Sequence, residues 1–247
     1  MSDDMVPVDP DGPMKFGCGP ANACFNECCR DLNQALTPYD ILRMKTALGI
    51  SSQTFLKTYT SLHNGPESGF PVVTFKPNPA TGHACPLVTE AGCSVYRDRP
   101  ASCRMYPLAR AIARDRATGA IREFFAMIRE DHCKGWDQAH TATVREWLDG
   151  QEVDEHNRQN DKLMALISLK NQIMPGALDG AQSDLFYTAL YDLDAFRDQI
   201  LNQGLLGELD IPDRVMKALA EDDLALLDFG IGWVKYMLFG RDLEVDV

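Results

Sequence analysis

The side chains with the clearest chemical potential in this chain are its cysteines. Eight occur among the 247 residues, and all of them lie in the first 133. Thiolate sulfur is a strong ligand for zinc, copper(I) and iron–sulfur clusters. Closely spaced thiols confined to one half of a chain therefore indicate a bound metal ion or cluster. The candidate ligands are Cys18, Cys24, Cys28, Cys29, Cys85, Cys93, Cys103 and Cys133.

The spacing of the first cysteines favours a cluster over a single ion. Common zinc sites use Cys-x2-Cys pairs, because a tight turn then presents both sulfurs to one ion. Neither the step from Cys18 to Cys24 nor the step from Cys24 to Cys28 has this spacing. A four-iron cluster presents iron corners several ångströms apart, so it suits wider gaps. On this chemistry alone, zinc stays the alternative.

The adjacent pair Cys28-Cys29 leaves the number of centres open. Neighbouring side chains diverge in an extended strand, so the two thiols could serve different sites, or one could lie in the core. Eight cysteines equal two four-ligand sets. One four-ligand centre with several supporting thiols is equally compatible with the sequence.

Disulfide bonds are the weaker interpretation of the same residues. They form in oxidising compartments and chiefly help small domains that cannot bury enough apolar surface. With 247 residues, of which 45% are hydrophobic, this chain can bury a substantial core. Its N-terminus lacks the features of a secretory signal, and no segment has the unbroken apolar run of a membrane span. We therefore expect a reducing, cytoplasmic environment and no membrane partner.

The distribution of charge argues against a nucleic-acid partner and indicates local compensation. The formal net charge is −12, and residues 151–247 carry −11 of it, whereas residues 97–129 carry +5 through eight arginines. Four thiolates around zinc(II), or around an oxidised four-iron cluster, leave a net charge of about −2 that arginines can stabilise. We predict that Arg99 and Arg104, on either side of Cys103, bind the cluster or an adjacent anionic ligand.

Apolar spacing predicts an α+β fold, mostly α, in which a small cysteine-rich half packs on a C-terminal helical half. Alternating segments on either side of residues 115–119 predict a β-hairpin. From Thr141 onward the apolar residues recur with a helical period. We therefore assign residues 1–140 to a cysteine-cluster metal-binding domain and residues 141–247 to a helical region packed against it.

Local signals predict several shorter elements. A helix is expected from Thr37-Pro38 to Leu48, because Thr caps helices well and Pro suits their first position. Ser52 is expected to cap a second helix. The remaining predictions are a strand at residues 70–76, a brief strand at residues 94–96 and one helical turn, opened by Pro100 and closed by Pro107, that carries Cys103.

Across roughly residues 14–136, the chain resembles the YkgJ-type cysteine-cluster family. After the clustered cysteines of residues 18–29, the matching blocks are Cys85-Pro86, the segment from Cys93 to Pro107, and Cys133-Lys134-Gly135. The middle block is the most specific, because Arg99-Pro100 and Tyr106-Pro107 frame Cys103 at fixed offsets. The first cluster departs from the family's Cys-x2-Cys-x2-Cys-Cys pattern through its gaps of five and three residues.

The resemblance also implies a function. The family is described as zinc- or iron-chelating and includes the domain of the flagellin lysine N-methylases, which implies a four-iron cluster and methyl transfer from S-adenosylmethionine. We therefore expect a cytoplasmic protein that holds a [4Fe–4S] cluster through its clustered cysteines. Two alternatives stay open, namely an S-adenosylmethionine-dependent protein-lysine N-methyltransferase that uses this cluster and a zinc-chelating structural or metal-handling module. A protein substrate or redox partner would accompany the bound centre, and no catalytic residue is assigned.

Overall fold

The chain folds as two units, and each is assembled from two separate stretches of sequence. In the computed structural model, the cysteine unit comprises Met1–Leu32 and Pro77–Glu155, and the helical unit comprises Asn33–Lys76 and His156–Val247. The structure describes residues 5–30, 34–65, 69–76, 78–115, 118, 120–139, 141–207 and 209–243. Their helices and strands form an α+β, mostly α, fold with the cysteines in the N-terminal half, which confirms the predicted class.

Both units contain strands and helices. The strands, in chain order, are β1 (Met5–Val8), β2 (Pro13–Lys15), β3 (Ala35–Leu36), β4 (Thr60–Asn64), β5 (Pro71–Phe75), β6 (Val88–Thr89), β7 (Gly92–Cys93), β8 (Leu108–Arg114), β9 (Ile121–Ile128) and β10 (Thr141–Thr143). The helices are α1 (Pro38–Leu48), α2 (Ser52–Tyr59), α3 (Ala101–Met105), α4 (Val144–Gly150), α5 (Asp154–Ile173), α6 (Gly180–Leu190), α7 (Leu193–Leu201), α8 (Asp213–Glu221) and α9 (Asp223–Phe239).

The core of the cysteine unit forms between a three-stranded antiparallel sheet and the helix α4. The sheet has the order β1-β9-β8, with Leu108 opposite Met127, so the predicted hairpin is confirmed. Residues 116, 117 and 119 of its predicted turn lie outside the described residues. Alternation along β9 turns Phe125 inward and leaves Phe124 55% exposed. The buried core residues are Met14, Phe16, Met105, Leu108, Phe125, Met127, Val144, Leu148 and Val153.

The chain does not pass from one unit to the other at the predicted boundary between residues 140 and 141, because the cysteine unit extends to Glu155. Strand β10 pairs with β2 in the cysteine unit, where Ala142 lies opposite Met14. The apolar side of α4, with Val144 and Leu148, belongs to the core of the same unit. The change to a helical apolar period marks where helices begin, but it does not identify the core on which a helix packs.

In the helical unit, α1 begins and ends as its sequence predicts. The Asp40 backbone N–H donates to Thr37 Oγ1, and the Thr37 N–H donates to the Asp40 carboxylate at 2.9 Å, which forms a reciprocal cap. The helix ends at Gly49, whose φ of 64° favours glycine. Helix α2 begins one residue earlier than predicted, because Ser51 rather than Ser52 supplies the capping oxygen.

A partly buried ion network around Lys45 contributes to the helical unit. Lys45 Nζ lies 2.7 Å from Asp223 and 3.4 Å from Asp194. Arg197 also contacts both carboxylates. Burial raises the pKa of Asp223, but hydrogen bonds and charges from Lys45 and Arg197 outweigh it and leave the pKa below its ordinary value.

The strands of the helical unit form an antiparallel sheet of order β3-β5-β4. None of the helices that the structure describes has both the length and the apolar composition needed to cross a bilayer.

The backbone at Gly135 passes against the ring of Phe16, so any larger residue at this position should destabilise the cysteine unit. An added Cβ would lie 2.3 Å from Phe16 Cε2. That ring is only 1% exposed, and the rings of Trp136 and Trp147 lie 4.8 and 5.2 Å from it, so it has little room to shift. We expect Gly135→Ala to lower the free energy of unfolding by about 1–3 kcal/mol.

Denaturant titration of Gly135→Ala beside Gly150→Ala tests this expectation. An added Cβ at Gly150, the last residue of α4, would meet no atom within 4 Å, and alanine is the better helix former. The control variant should therefore unfold at or above the denaturant midpoint of the parent chain. Equal midpoints for the two variants would contradict the steric argument.

Candidate metal centre

The loop that carries the first cysteines is joined to the Cys133 segment by long-range hydrogen bonds. The Gly17 N–H donates to the Gly135 carbonyl at 3.0 Å. The Lys134 N–H donates to Cys24 Sγ at 3.1 Å. Together these bonds place Cys133 beside the first loop, although 110 residues separate Cys24 from Lys134.

Cys18, at the start of this loop, has three other cysteines as electrostatic neighbours. Burial raises the pKa of its thiol, and the nearby Cys28, Cys133 and Cys24 raise it further. The Arg99 guanidinium acts in the opposite direction and lowers this pKa. The four cysteines form one neighbourhood, which we name the first cysteine set: Cys18, Cys24, Cys28 and Cys133.

Two further cysteines lie at the hairpin of β6 and β7, with Cys93 at the end of β7 and Cys85 three residues before β6. Cys93 lies opposite Val88 in this hairpin, and the predicted strand at residues 94–96 is instead a turn that follows β7. Burial raises the pKa of Cys85 to about 11, and hydrogen bonds from the backbone N–H groups of Leu87 and Val88 offset part of this increase. The Val95 N–H acts in the same way on Cys93. Such N–H donors stabilise thiolate charge in metal and cluster sites.

Cys28 and Cys29 lie between the first loop and the hairpin. They end a short 3₁₀ turn at Glu27–Cys29, and the Cys85 N–H donates to the Cys29 carbonyl at 2.7 Å. The Cys29 thiol is close enough to hydrogen-bond with Cys28, and this contact, together with burial, raises the pKa of Cys28. We name the four remaining thiols the second cysteine set: Cys29, Cys85, Cys93 and Cys103.

Cys103 is carried by α3 and is half-buried. The helical turn was predicted between Pro100 and Pro107, and the structure confirms it at Ala101–Met105. Arg104 anchors the turn, because its backbone N–H donates to the Pro100 carbonyl and its guanidinium donates to the Arg97 carbonyl. The segment from Arg97 to α3 is therefore folded back on itself around the residue that follows Cys103.

The thiols suit a soft metal in their chemistry. All eight cysteines lie in the described part of the chain, none forms a disulfide, and Cys18 is more exposed than the other seven. Within the same described part, no three His, Cys, Asp or Glu side chains are close enough together to hold one metal ion. The residues therefore fit a thiolate-bound metal or cluster by their donor chemistry and not by a preformed set of ligand distances. Binding would draw the sulfurs together and displace their protons, as expected where a site forms together with its metal.

Arg99 is buried among the cysteines instead of lying in solvent. It is 8% exposed, and its guanidinium donates to the Tyr96 carbonyl and the Gln151 side chain. The guanidinium carbon lies 3.9 Å from the centre of the Tyr96 ring. Its positive charge lowers the pKa values of Cys93 and Cys18, so it faces both cysteine sets. The predicted role of Arg99 in cofactor binding stays a prediction.

Arg104 has a more structural environment. It is 5% exposed, and its guanidinium donates to the Gln151 carbonyl at 2.7 Å and to the carbonyl of Arg97. Arg99 and Arg104 therefore fasten the segment around Arg97 to the end of α4. The burial of these two arginines is visible only in the tertiary structure. Direct contact of Arg104 with a cofactor stays a prediction.

Tyr106 is a further site residue, to which the sequence alone assigned no function beyond framing Cys103. Its hydroxyl oxygen is buried and lies beside the Cys133 thiol and the Glu130 carboxylate, but it makes no hydrogen bond of regular geometry within the described structure. Burial raises the pKa of Tyr106, and the nearby Cys133 thiol and Glu130 carboxylate raise it further. Buried hydroxyls without a regular hydrogen bond are costly and uncommon. This one lies beside a candidate ligand, to whose sulfur it could donate once that sulfur binds a metal.

We expect Arg99→Gln to weaken both the fold of the cysteine unit and its retention of metal. The substitution removes a buried charge beside two cysteines and leaves the Tyr96 carbonyl without its donor, which should cost about 2 kcal/mol. Arg99→Lys should lose less metal because it keeps the charge, although it cannot reproduce the forked contact. Thermal unfolding and metal analysis measure the two effects.

The matched control for Arg99 is Arg145→Gln in the same unit. Arg145 pairs with Asp11 at 2.9 Å, and both side chains are well exposed, so the pair should contribute little. Equal losses of metal and stability in Arg99→Gln and Arg145→Gln would contradict a special role for Arg99.

We expect Tyr106→Phe to leave the metal-free fold intact and to speed metal loss. The ring stays in place against Phe16, whose centre is 6.5 Å away, and only the hydroxyl disappears. Release of metal to a chelator, followed spectroscopically, should be faster than in the parent chain. Tyr187→Phe, a half-buried tyrosine of the helical unit, is the control and should not change the rate. Identical release from Tyr106→Phe and the parent chain would show that the hydroxyl has no function at the centre.

Comparison with known proteins gives one match, to a family model. Residues 18–140 match the family model CxxCxxCC, described as a "Putative zinc- or iron-chelating domain". The matched segment begins at Cys18 and includes all eight cysteines, with Arg99, Arg104 and Tyr106. No curated protein and no solved structure matches the chain. Through its domain at residues 18–140, the chain belongs to the CxxCxxCC cysteine-cluster family.

Proposed function

We propose that the protein binds a [4Fe–4S] cluster through thiolates of the cysteine unit. The observation that carries this proposal is the environment of the sulfurs. Eight cysteines without disulfides lie in one unit, and backbone N–H groups donate to several of them. Buried thiols have raised pKa values, so they stay protonated until a metal of high thiolate affinity displaces the protons.

Two features favour a cluster over a lone zinc ion in the first cysteine set. The steps between Cys18, Cys24 and Cys28 are longer than those of common zinc sites. The buried Arg99 supplies positive charge against a centre whose net charge is about −2. Zinc chelation is the second candidate. It is favoured by the segment from Cys85 through the β6–β7 hairpin, because Cys85 and Cys93 interact there and both sulfurs accept from backbone N–H groups.

The enzymatic form of the proposal is S-adenosylmethionine-dependent methylation of a protein lysine. Its support is the resemblance to the flagellin lysine N-methylases. This form requires a cluster in which one iron lacks a cysteine ligand, because that iron would supply a coordination position for the amino and carboxylate groups of S-adenosylmethionine. The non-enzymatic form is a metal-handling or electron-transfer module with a redox partner. Either form belongs in a reducing compartment such as the cytoplasm, since thiols persist there.

Anaerobic purification of the full chain tests the proposal directly. We expect brown protein with broad visible absorption, containing about four irons and four acid-labile sulfides in each cluster-loaded chain. The same protein exposed to air and a chelator should lose its colour together with its sulfide. Colourless protein that contains stoichiometric zinc would show that the protein chelates zinc and does not hold a cluster. Protein that retains neither metal after reconstitution would reject the metal-binding function altogether.

A further inference from the structure

We propose that the eight cysteines form two separate centres with different occupants. The inference rests on the proposed metal-binding function and extends it by assigning the ligands. The first cysteine set would hold the iron–sulfur cluster, and the second would hold a single tetrahedral ion such as zinc(II). The two groups are Cys18, Cys24, Cys28 and Cys133 for the cluster, and Cys29, Cys85, Cys93 and Cys103 for the ion. Because four cysteines would then ligate all four irons, this partition extends the non-enzymatic form of the proposed function.

The first set is brought together by backbone bonds that do not involve the hairpin. The bond from Gly17 to Gly135 and the bond from Lys134 to the Cys24 sulfur place Cys133 against the first loop. The Glu27 N–H donates to the Cys24 carbonyl at 3.0 Å, which keeps the following residue, Cys28, one turn away from Cys24.

The second set is brought together by different bonds. The Cys85 N–H bonds to the Cys29 carbonyl, and residues 30 and 84 form an isolated antiparallel bridge. In addition, Asn26 Nδ2 donates to the Thr89 carbonyl at 3.0 Å. These contacts fasten the hairpin, with Cys85 and Cys93, to the 3₁₀ turn on the side of Cys29.

The adjacent Cys28 and Cys29 mark the division between the two sets. Consecutive side chains of a 3₁₀ helix leave its axis about 120° apart, since the helix has three residues per turn. Cys28 can therefore turn to the first loop while Cys29 turns to the hairpin. The two thiols contact each other, so the centres would be near neighbours and Arg99 could stabilise the charge of both.

The geometry of each set indicates its occupant. Cys93 ends the β6–β7 hairpin, and Cys85 lies three residues before it. Backbone N–H groups donate to both sulfurs, from Leu87 and Val88 to Cys85 and from Val95 to Cys93. Compact turns of this kind present sulfurs to one tetrahedral ion. The first set instead draws on a loop, a 3₁₀ turn and a segment more than a hundred residues away, as the wider corners of a cluster require.

Metal analysis of single Cys→Ser variants tests the partition. The full chain is reconstituted anaerobically with iron, sulfide and zinc, and iron, sulfide and zinc are then quantified in each variant. Cys85→Ser and Cys93→Ser should reduce zinc binding about tenfold or more while iron and sulfide stay near the parent values. Cys24→Ser and Cys133→Ser should show the opposite pattern. The two pairs of variants therefore act as controls for each other.

The outcomes separate failure of the partition from failure of metal binding. If every variant loses iron and zinc in the same proportion while the parent binds both, the cysteines form one shared centre and the partition is wrong. If the parent binds iron and sulfide but no zinc, the single-ion assignment is wrong. A parent chain that binds no metal rejects the proposed function itself.

X-ray absorption at the zinc edge of the loaded parent chain keeps the test independent of whether the variants fold. The proposal requires zinc with four sulfur neighbours and no iron at bonding distance. Fewer than three sulfur neighbours, or a short zinc–iron distance, would overturn it.

Discussion

The closure of the cysteine unit between its first loop and the Cys133 segment is the constraint on which the rest of the site depends. Two hydrogen bonds make this closure, from Gly17 to Gly135 and from Lys134 to the Cys24 sulfur. The close approach is possible because residue 135 has no side chain where the Phe16 ring packs. The same ring is part of the apolar core, so the positions of the cysteines and the packing of the core cannot vary independently.

Opposing electrostatic effects act on the sulfurs. Burial raises the pKa values of Cys18, Cys85 and Cys93, which favours neutral thiols in the metal-free chain. Backbone N–H groups and the Arg99 charge favour the thiolates. A metal ion adds the positive charge that shifts this balance, because its bond to a thiolate exceeds the cost of desolvation. The cysteine unit is thus suited to hold its thiols protonated without metal and to ionise them when metal binds.

The helical unit is stabilised by apolar packing and by ion pairs. Its helices bury apolar faces, and its charged residues Lys45, Arg197 and Asp223 satisfy one another. The family match covers residues 18–140, and therefore also spans the stretch of the helical unit that contains α1, α2 and strands β3 to β5. Helices α5 to α9 lie beyond the matched residues, so the family match assigns no role to them.

The sequence by itself determined the features that depend on neighbouring residues. Thr37 and Pro38 specify the start of α1, the alternating segments specify the β8–β9 hairpin, and the density of cysteines specifies a metal-binding family. These predictions succeeded because a helix cap, the alternation of a strand and the density of cysteines are properties of short stretches of chain.

Only the tertiary structure decided which distant residues meet. It placed α4 on the core of the cysteine unit, buried Arg99 between the two cysteine sets and left the Tyr106 hydroxyl beside Cys133 without a regular hydrogen bond. It also joined Cys24 to the Lys134 backbone across 110 residues of chain. Such contacts depend on closing long loops around a shared core, and no local pattern of residue types encodes which loop ends will meet.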